Sequence, residues 1–400
     1  MPELPDLSHP DTFADGFPHA LFRELRRSDP VAWHEGDYCG GPGYWVVSRY
    51  DTIVSLSRRP QLFSSASGTA IEDSFDFVSL IGMDPPGHRR YRALVSAGFT
   101  PRRVAAQEAR HREIVHAILD GVVERGSCDF VVDVAAQLPL RVIAELLGVP
   151  QSAAKDLFDW SNRMIGNQDP EYAVSLEESA KAAQEMFAFA NAIAEERLRE
   201  PKDDLISALL HGEVAGERLG KVEFDAFFLL LAVAGNETTR NLISQGLLLL
   251  LEHPDALARL RRDPSKLPGA IEEMLRFRSP VYYMKRTALH DTELEGKRIR
   301  KGDKLLMYYP SANRDERVFA EPDRFDVERA PNHHLAFGVG EHFCLGTHLA
   351  RLETRVIFEA ILERMHELEL AGPVSTLRSN LIDGVKHIPL RFKGRPSPRA

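Results

Sequence analysis

Six residues stand at fixed intervals in FGVGEHFCLG, residues 337–346: Phe337, Gly338, Gly340, His342, Cys344 and Gly346. A cysteine that binds a metal as thiolate needs its charge held in an otherwise apolar place. Glycines let backbone amides approach the sulfur, and a helix that follows aims its positive end at it. A lone cysteine in such a turn is more often a buried structural residue. Six spaced positions within ten residues favour a ligand. Zinc is disfavoured, because no second cysteine or histidine pair stands nearby at ligand spacing.

A second constellation is AGNETT, residues 234–239. In a helix Ala234 and Thr238 share a face, which Phe227 and Leu231 extend. Gly235 weakens the helix, and the Thr238 hydroxyl can bond back to the carbonyl of residue 234. Glu237 beside Thr238 sets an acid and an alcohol together, a pair able to deliver protons. A capping or solvated pair is the plainer alternative. Glu273 and Arg276 form E-x-x-R, spaced to pair on one helix face. Surface helices are full of that pattern, so alone it says little.

The elements that must position these groups are mostly helical. Residues 1–65 read as a helix, short strands around Trp45–Val47 and another helix, with Pro and Gly at the joins. Arg103–Val123 and Ala180–Arg199 are too long for strands and rich in helix formers. Asn162–Tyr172 reads as a polar break between helices. Residues 280–310 turn to β-branched and aromatic types with turn signals, as in a small sheet. After Gly346 a helix resumes, with Leu349, Leu352, Val356 and Ala360 on one face. The fold class expected is mainly α with a small β portion, one domain over 1–400 without a linker.

The 337–346 segment resembles the haem-binding loop of the cytochrome P450 family, F-G-x-G-x-H-x-C-x-G, with His342 where other members carry Arg. The resemblance spans about residues 15–395. It implies a triangular prism of helices around a buried haem b (iron protoporphyrin IX), with Cys344 as the axial thiolate. AGNETT is similar to the family's oxygen-activating helix, with Glu237 as the acid and Thr238 as the alcohol. Glu273, Arg276 and Arg324, the last from Pro322-Asp323-Arg324-Phe325, match its structural three-residue ion network. His88 and Arg92, after Asp84-Pro85-Pro86-Gly87, together with Arg286 and His342, match its propionate contacts. The other haem-binding positions implied are Ala234, Phe337, Gly338 and Gly346.

The resemblance further implies a monooxygenase that takes O2 and electrons from NAD(P)H through a ferredoxin reductase and a ferredoxin. The ferredoxin would dock on the cysteine side, near Arg89, Arg90, Arg102 and Arg103. Substrate walls are expected from about 66–82, 160–185, the 227–234 stripe and 280–284. Pocket candidates are Phe228, Leu231, Ala234, Val281, Tyr282 and Met284, several of which could equally fill the core. A small hydrophobic substrate is expected. DWSNRMIGNQDPEY and AGNETTRN resemble the branch that hydroxylates sterol side chains, methyl-branched lipids and terpene alcohols. A peroxide-using haem-thiolate enzyme is the runner-up, and a non-catalytic haem-binding carrier is a reading from another class. The intact Glu237-Thr238 pair speaks against both.

Composition bounds the partners. The chain of 400 residues has 50 Lys plus Arg against 59 Asp plus Glu, a formal charge of -9, which argues against a general nucleic-acid binder. Three scattered cysteines (Cys39, Cys128, Cys344) make no disulfide framework. The opening MPELPDLSHPDTF lacks the basic start and apolar run of a secretory signal. The longest apolar stretch, Ala226 to Ala234, is about half of a membrane span. A soluble, cytoplasmic monomer is expected.

Overall fold

The computed structural model describes residues 4–38, 41–71, 79–165, 168–172, 175–213 and 218–396. Cys39 lies outside them, as do residues 72–78, 166–167 and 173–174 of the expected pocket walls. The N-terminal order is as expected: α1 (His19–Ser28), β1 (Val31–Tyr38), β2 (Gly41–Val47) and α2 (Tyr50–Ser57). These lead into a mixed five-stranded sheet completed by β3 (Phe63–Ser64), β5 (Tyr283–Ala288) and β6 (Lys304–Tyr308), in the order β1-β2-β6-β5-β3. Every residue of β6 is buried, as a strand covered on both faces must be. It pairs parallel to β2 (Val46 opposite Leu306) and antiparallel to β5 (Arg286 opposite Leu305).

The helical part comprises α3 (Gly87–Ser96), α4 (Glu108–Val123), α5 (Gln137–Leu147), α6 (Ala154–Ile165), α7 (Leu176–Arg199), α8 (Lys221–Glu252), α9 (Leu267–Phe277) and α10 (Thr347–Arg364). Helix α8 is buried on most of its surface, polar residues such as Asn236, Glu237 and Arg240 included, as a helix enclosed by others must be. Its Phe227, Leu242 and Leu249 share one core with Leu119 of α4, Ile143 of α5, Ile271 of α9 and Ile357 of α10. Leu349, Leu352, Val356 and Ala360 of α10 are all buried, as their spacing predicts.

Two local expectations change. The predicted break at Asn162 begins later, because α6 runs on to Ile165 with the Asn162 side chain accepting a bond from Arg240. Between the expected helices Arg103–Val123 and Ala180–Arg199 a strand intervenes, β4 (Ser127–Asp129), which joins β9 (Pro389–Gly394) and β7 (Met365–Leu370) in a second sheet. Three residues are too few to leave a period in the sequence. Among the described residues no helix is long and apolar enough to cross a membrane.

The 168–172 turn between α6 and α7 is clasped by the C-terminal hairpin. Asp169 pairs with Lys386 of β8 (Val385–His387) at 2.9 Å, and Glu171 meets His387 at 2.8 Å, whose other ring nitrogen faces Asp129. The bond to Glu171 and, after it, Asp129 hold His387 above the usual histidine value of 6.5. A raised value means the clasp is complete below pH 6.5 and weakens as pH rises through the folded pKa. Hydrogen-exchange protection across 168–172 should therefore fall from pH 6 toward pH 9 (probe values), and His387→Gln should flatten that dependence.

Candidate active site

Helices α3 and α8, the start of β5 and the 337–346 loop enclose a cavity of about 260 Å³. The loop is shaped by left-handed glycines, Gly338 at φ 68° and Gly340 at φ 82°. A side chain on Gly340 would meet the Ser57 carbonyl oxygen at 2.7 Å, so the loop could not close against α2. The Cys344 N–H donates to Phe337 O at 2.9 Å, folding the loop back on itself just before α10 begins. Arg351 of α10 braces it: its guanidinium is held at 2.7 Å by both oxygens of Glu272 and lies 4.7 Å from the Phe337 ring centroid.

Cys344 opens onto the cavity and is enclosed on its other sides. That enclosure raises its thiol above the usual value, against the Gly346 N–H bonded to it and the charges of Arg92 and Arg351. Four bases reach the same cavity. His88 is fully buried with neither ring nitrogen hydrogen-bonded, and its ring centroid is 4.3 Å from that of His342. Burial, then Arg92, lowers the pKa of His88. Burial, then Arg286 and His88, brings His342 down to about 3. Arg92 donates to Phe343 O at 2.5 Å, and Arg286, 6% exposed, donates to Lys285 O.

Opposite the loop, α8 presents Phe227, Leu231, Ala234 and Thr238 to the cavity. Thr238 Oγ1 donates to Ala234 O at 2.9 Å, the back-bond expected from the spacing. Glu237 does not line the cavity. Neighbours on a helix point about 100° apart, and Glu237 is turned inward, where its Oε1 accepts from Arg240 and, at 3.0 Å, from Asn241.

Val281 and Met284 line the cavity as expected, whereas Phe228 and Tyr282 do not. Phe228 is one position off the lining stripe and packs on Phe189 and Phe224. Tyr282 precedes the strand, so its direction does not follow strand alternation; it stacks on Phe13 with centroids 4.9 Å apart and reaches Asp383. The ion network also needs correction. Glu273 and Arg276 form a buried bidentate pair at 2.7 and 2.8 Å, but the third side chain is Arg329, 3.1 Å from Glu273. Arg324 points outward to Glu321 and gives the cluster only its backbone carbonyl, which accepts from Arg276 and Arg329. Leu80 and Ile81 line the cavity from the expected 66–82 wall, whereas Phe99, Tyr309 and Glu353 are lining residues not anticipated. Glu353 was within reach of helical spacing, one turn beyond Leu349 on α10. Its full burial pushes the carboxyl well above the usual range.

A family profile described as Cytochrome P450 matches residues 140–379, more than half of the chain. The chain belongs to the cytochrome P450 family. This P450 is 40% identical to a steroid C26-monooxygenase of Rhodococcus jostii, over 98% of this chain and 86% of that protein. It is 39% identical to a methyl-branched lipid omega-hydroxylase of Mycobacterium bovis, over 98% and 96% of the two chains. A Mycobacterium marinum cytochrome P450 solved in complex with pseudoionone superposes with a TM-score of 0.92 at 36% identity, covering 98% of this chain and all of that one.

The P450 is thus a monooxygenase with haem b as cofactor, acting with O2 on a hydrophobic substrate. The cavity's residues fit that group. His88 offers two buried nitrogens without a hydrogen bond among the described residues, Glu341 standing 4.0 Å from one of them, beside Arg92, Arg286 and His342, as two propionates require. At Gly346 no atom stands within 4 Å of where a Cβ would be, leaving the space next to the sulfur clear. Haem b supplies the activation of O2 for insertion into a C–H bond. The protein's part is to hold the group, exclude water and place protons.

Proposed function

We propose that Cys344 is the axial thiolate, that His88, Arg92, Arg286 and His342 hold the propionates, and that the substrate is a sterol, terpenoid or methyl-branched lipid. It is hydroxylated at an unactivated C–H bond near a branched chain end. The observation that carries this reading is the make-up of the wall facing Cys344: Leu80, Ile81, Leu231, Val281 and Met284 are aliphatic or thioether side chains with no charge among them. Such a wall orients a molecule by shape rather than by polar contacts. The names of the relatives support two of these classes, steroids and methyl-branched lipids. The test is a screen for substrate-induced spin-state shifts with steroids, terpenoids and branched fatty acids, followed by product analysis. Binding confined to small polar compounds would refute it.

Thr238 is proposed to order the water that hands over a proton at the cavity, with Glu237 as the supply. Thr238→Ala should leave haem loading and substrate binding intact while product per NAD(P)H falls and hydrogen peroxide per NAD(P)H rises. Paired assay of cofactor oxidation, product and peroxide checks this. Coupling equal to wild type would reduce Thr238 to a helix residue.

Electrons are proposed to arrive from a ferredoxin docking on the cysteine side, the enzyme acting as a cytoplasmic monomer. Arg102 and Arg103 stand exposed in the short helix Pro101–Ala106. Arg89 contributes less positive field than the sequence suggests, because it is paired with Glu341 at 2.5 Å. Arg102→Glu/Arg103→Glu should slow reduction at low salt and flatten its dependence on ionic strength. Salt curves identical to wild type would remove this patch.

A further inference from the structure

The face of α8 turned away from the cavity carries buried polar atoms that have no hydrogen-bond partner among the described residues. Asn236 is fully buried, and neither its amide nitrogen nor its oxygen has a partner among the described residues. One turn on, Arg240 uses two nitrogens, on Asn162 Oδ1 at 3.1 Å and on Glu237, while its Nε has no partner. Its guanidinium also lies 5.6 Å from the Phe158 ring centroid, so this face of α8 packs on α6. Next to Asn162 on α6 stands Ser161, fully buried, with its hydroxyl unpartnered as well. A primary amide, a hydroxyl and a guanidinium N–H gathered at one helix seam need hydrogen-bond partners, and bridging water is the usual one where polar groups converge.

We infer that ordered water occupies the α6–α8 seam, bonded by Asn236, Ser161 and Arg240, and that this water supplies protons to Glu237. The second half rests on the acid role proposed above. Glu237 is suited to receive them: both of its protein bonds fall on Oε1, leaving Oε2 to water. Asn241, which holds Glu237, in turn accepts the Val385 N–H at 3.2 Å, so the acid is fixed outside the apolar substrate space and can meet the seam water there.

The first test needs no variant: a high-resolution crystal structure of the haem-loaded enzyme should show water within hydrogen-bond distance of the Asn236 amide. A dry, repacked seam overturns the inference. The second uses Asn236→Leu, with Ser161→Ala as a gentler change at the same seam. Both should keep haem content and the substrate spin-state shift, yet turn over severalfold more slowly with a larger solvent deuterium isotope effect. If Glu237→Gln slows turnover and the two seam variants match wild type, the water does not feed the acid. If Glu237→Gln itself changes neither rate nor isotope effect, the acid role fails, and the supply route falls with it even where the water is seen.

Discussion

Cys344→Ser is expected to lose the thiolate-type reduced-CO band and all monooxygenase turnover while the chain folds and can still bind haem. The change exchanges one atom and keeps the turn, since the backbone bond from Cys344 to Phe337 and the left-handed glycines do not depend on the sulfur. What disappears is the soft, electron-donating ligand, the property that sets a thiolate apart from an imidazole or hydroxyl at haem iron. The four bases would still hold the propionates, so haem affinity should drop less than activity. Cys128 offers no substitute: burial pushes its thiol up to about 12, and it lies in β4, outside the cavity walls. Retention of the normal band in the variant would remove Cys344 as the axial ligand.

Arg276→Ala should cost about 3–5 kcal/mol of stability, the largest effect expected away from the cavity. Glu273 and Arg276 are both fully buried, and Arg276 additionally donates to the carbonyls of Asn313, Pro322 and Arg324. Deleting the guanidinium leaves a buried carboxylate with Arg329, Asn332 and the Asp326 N–H as its remaining partners, and strips the segment before the cysteine loop of its anchor. Arg329→Ala removes a half-buried partner and should cost about 1.5–3 kcal/mol, the range of a hydrogen bond to a charged group. Arg324→Ala should stay within about 0.5 kcal/mol, because its side chain is at the surface. Denaturant unfolding of the three haem-loaded variants orders them. Equal losses for Arg324→Ala and Arg329→Ala would contradict the arrangement.

Much of the site was legible before any fold was known, because it depends on covalent spacing. Cys344 and its glycines must share one turn, Phe227, Leu231, Ala234 and Thr238 must share one helix face, and Glu273 must meet Arg276 across one helical turn. The helix after Gly346 and the small sheet over 280–310 follow from periodicity and residue type for the same reason. What only tertiary structure decided were the questions of direction and of long-range choice. Arg329 rather than Arg324 completes the ion network because the 324–329 segment folds one side chain inward and the other out, and both are arginines within six residues. Phe228 and Tyr282 are as apolar as true wall residues, and only the rotation of α8 and the late start of β5 turn them into the core. Glu237 sits beside Thr238 in sequence, yet Arg240 and Asn241 hold it outside the cavity lining. The tilted ring contact of His88 with His342, and the hold of Glu272 on Arg351, join residues that are far apart in the chain. Local geometry is set by neighbours in sequence, which every window of residues carries. Contacts between distant segments are set by how whole elements pack, which no single window contains.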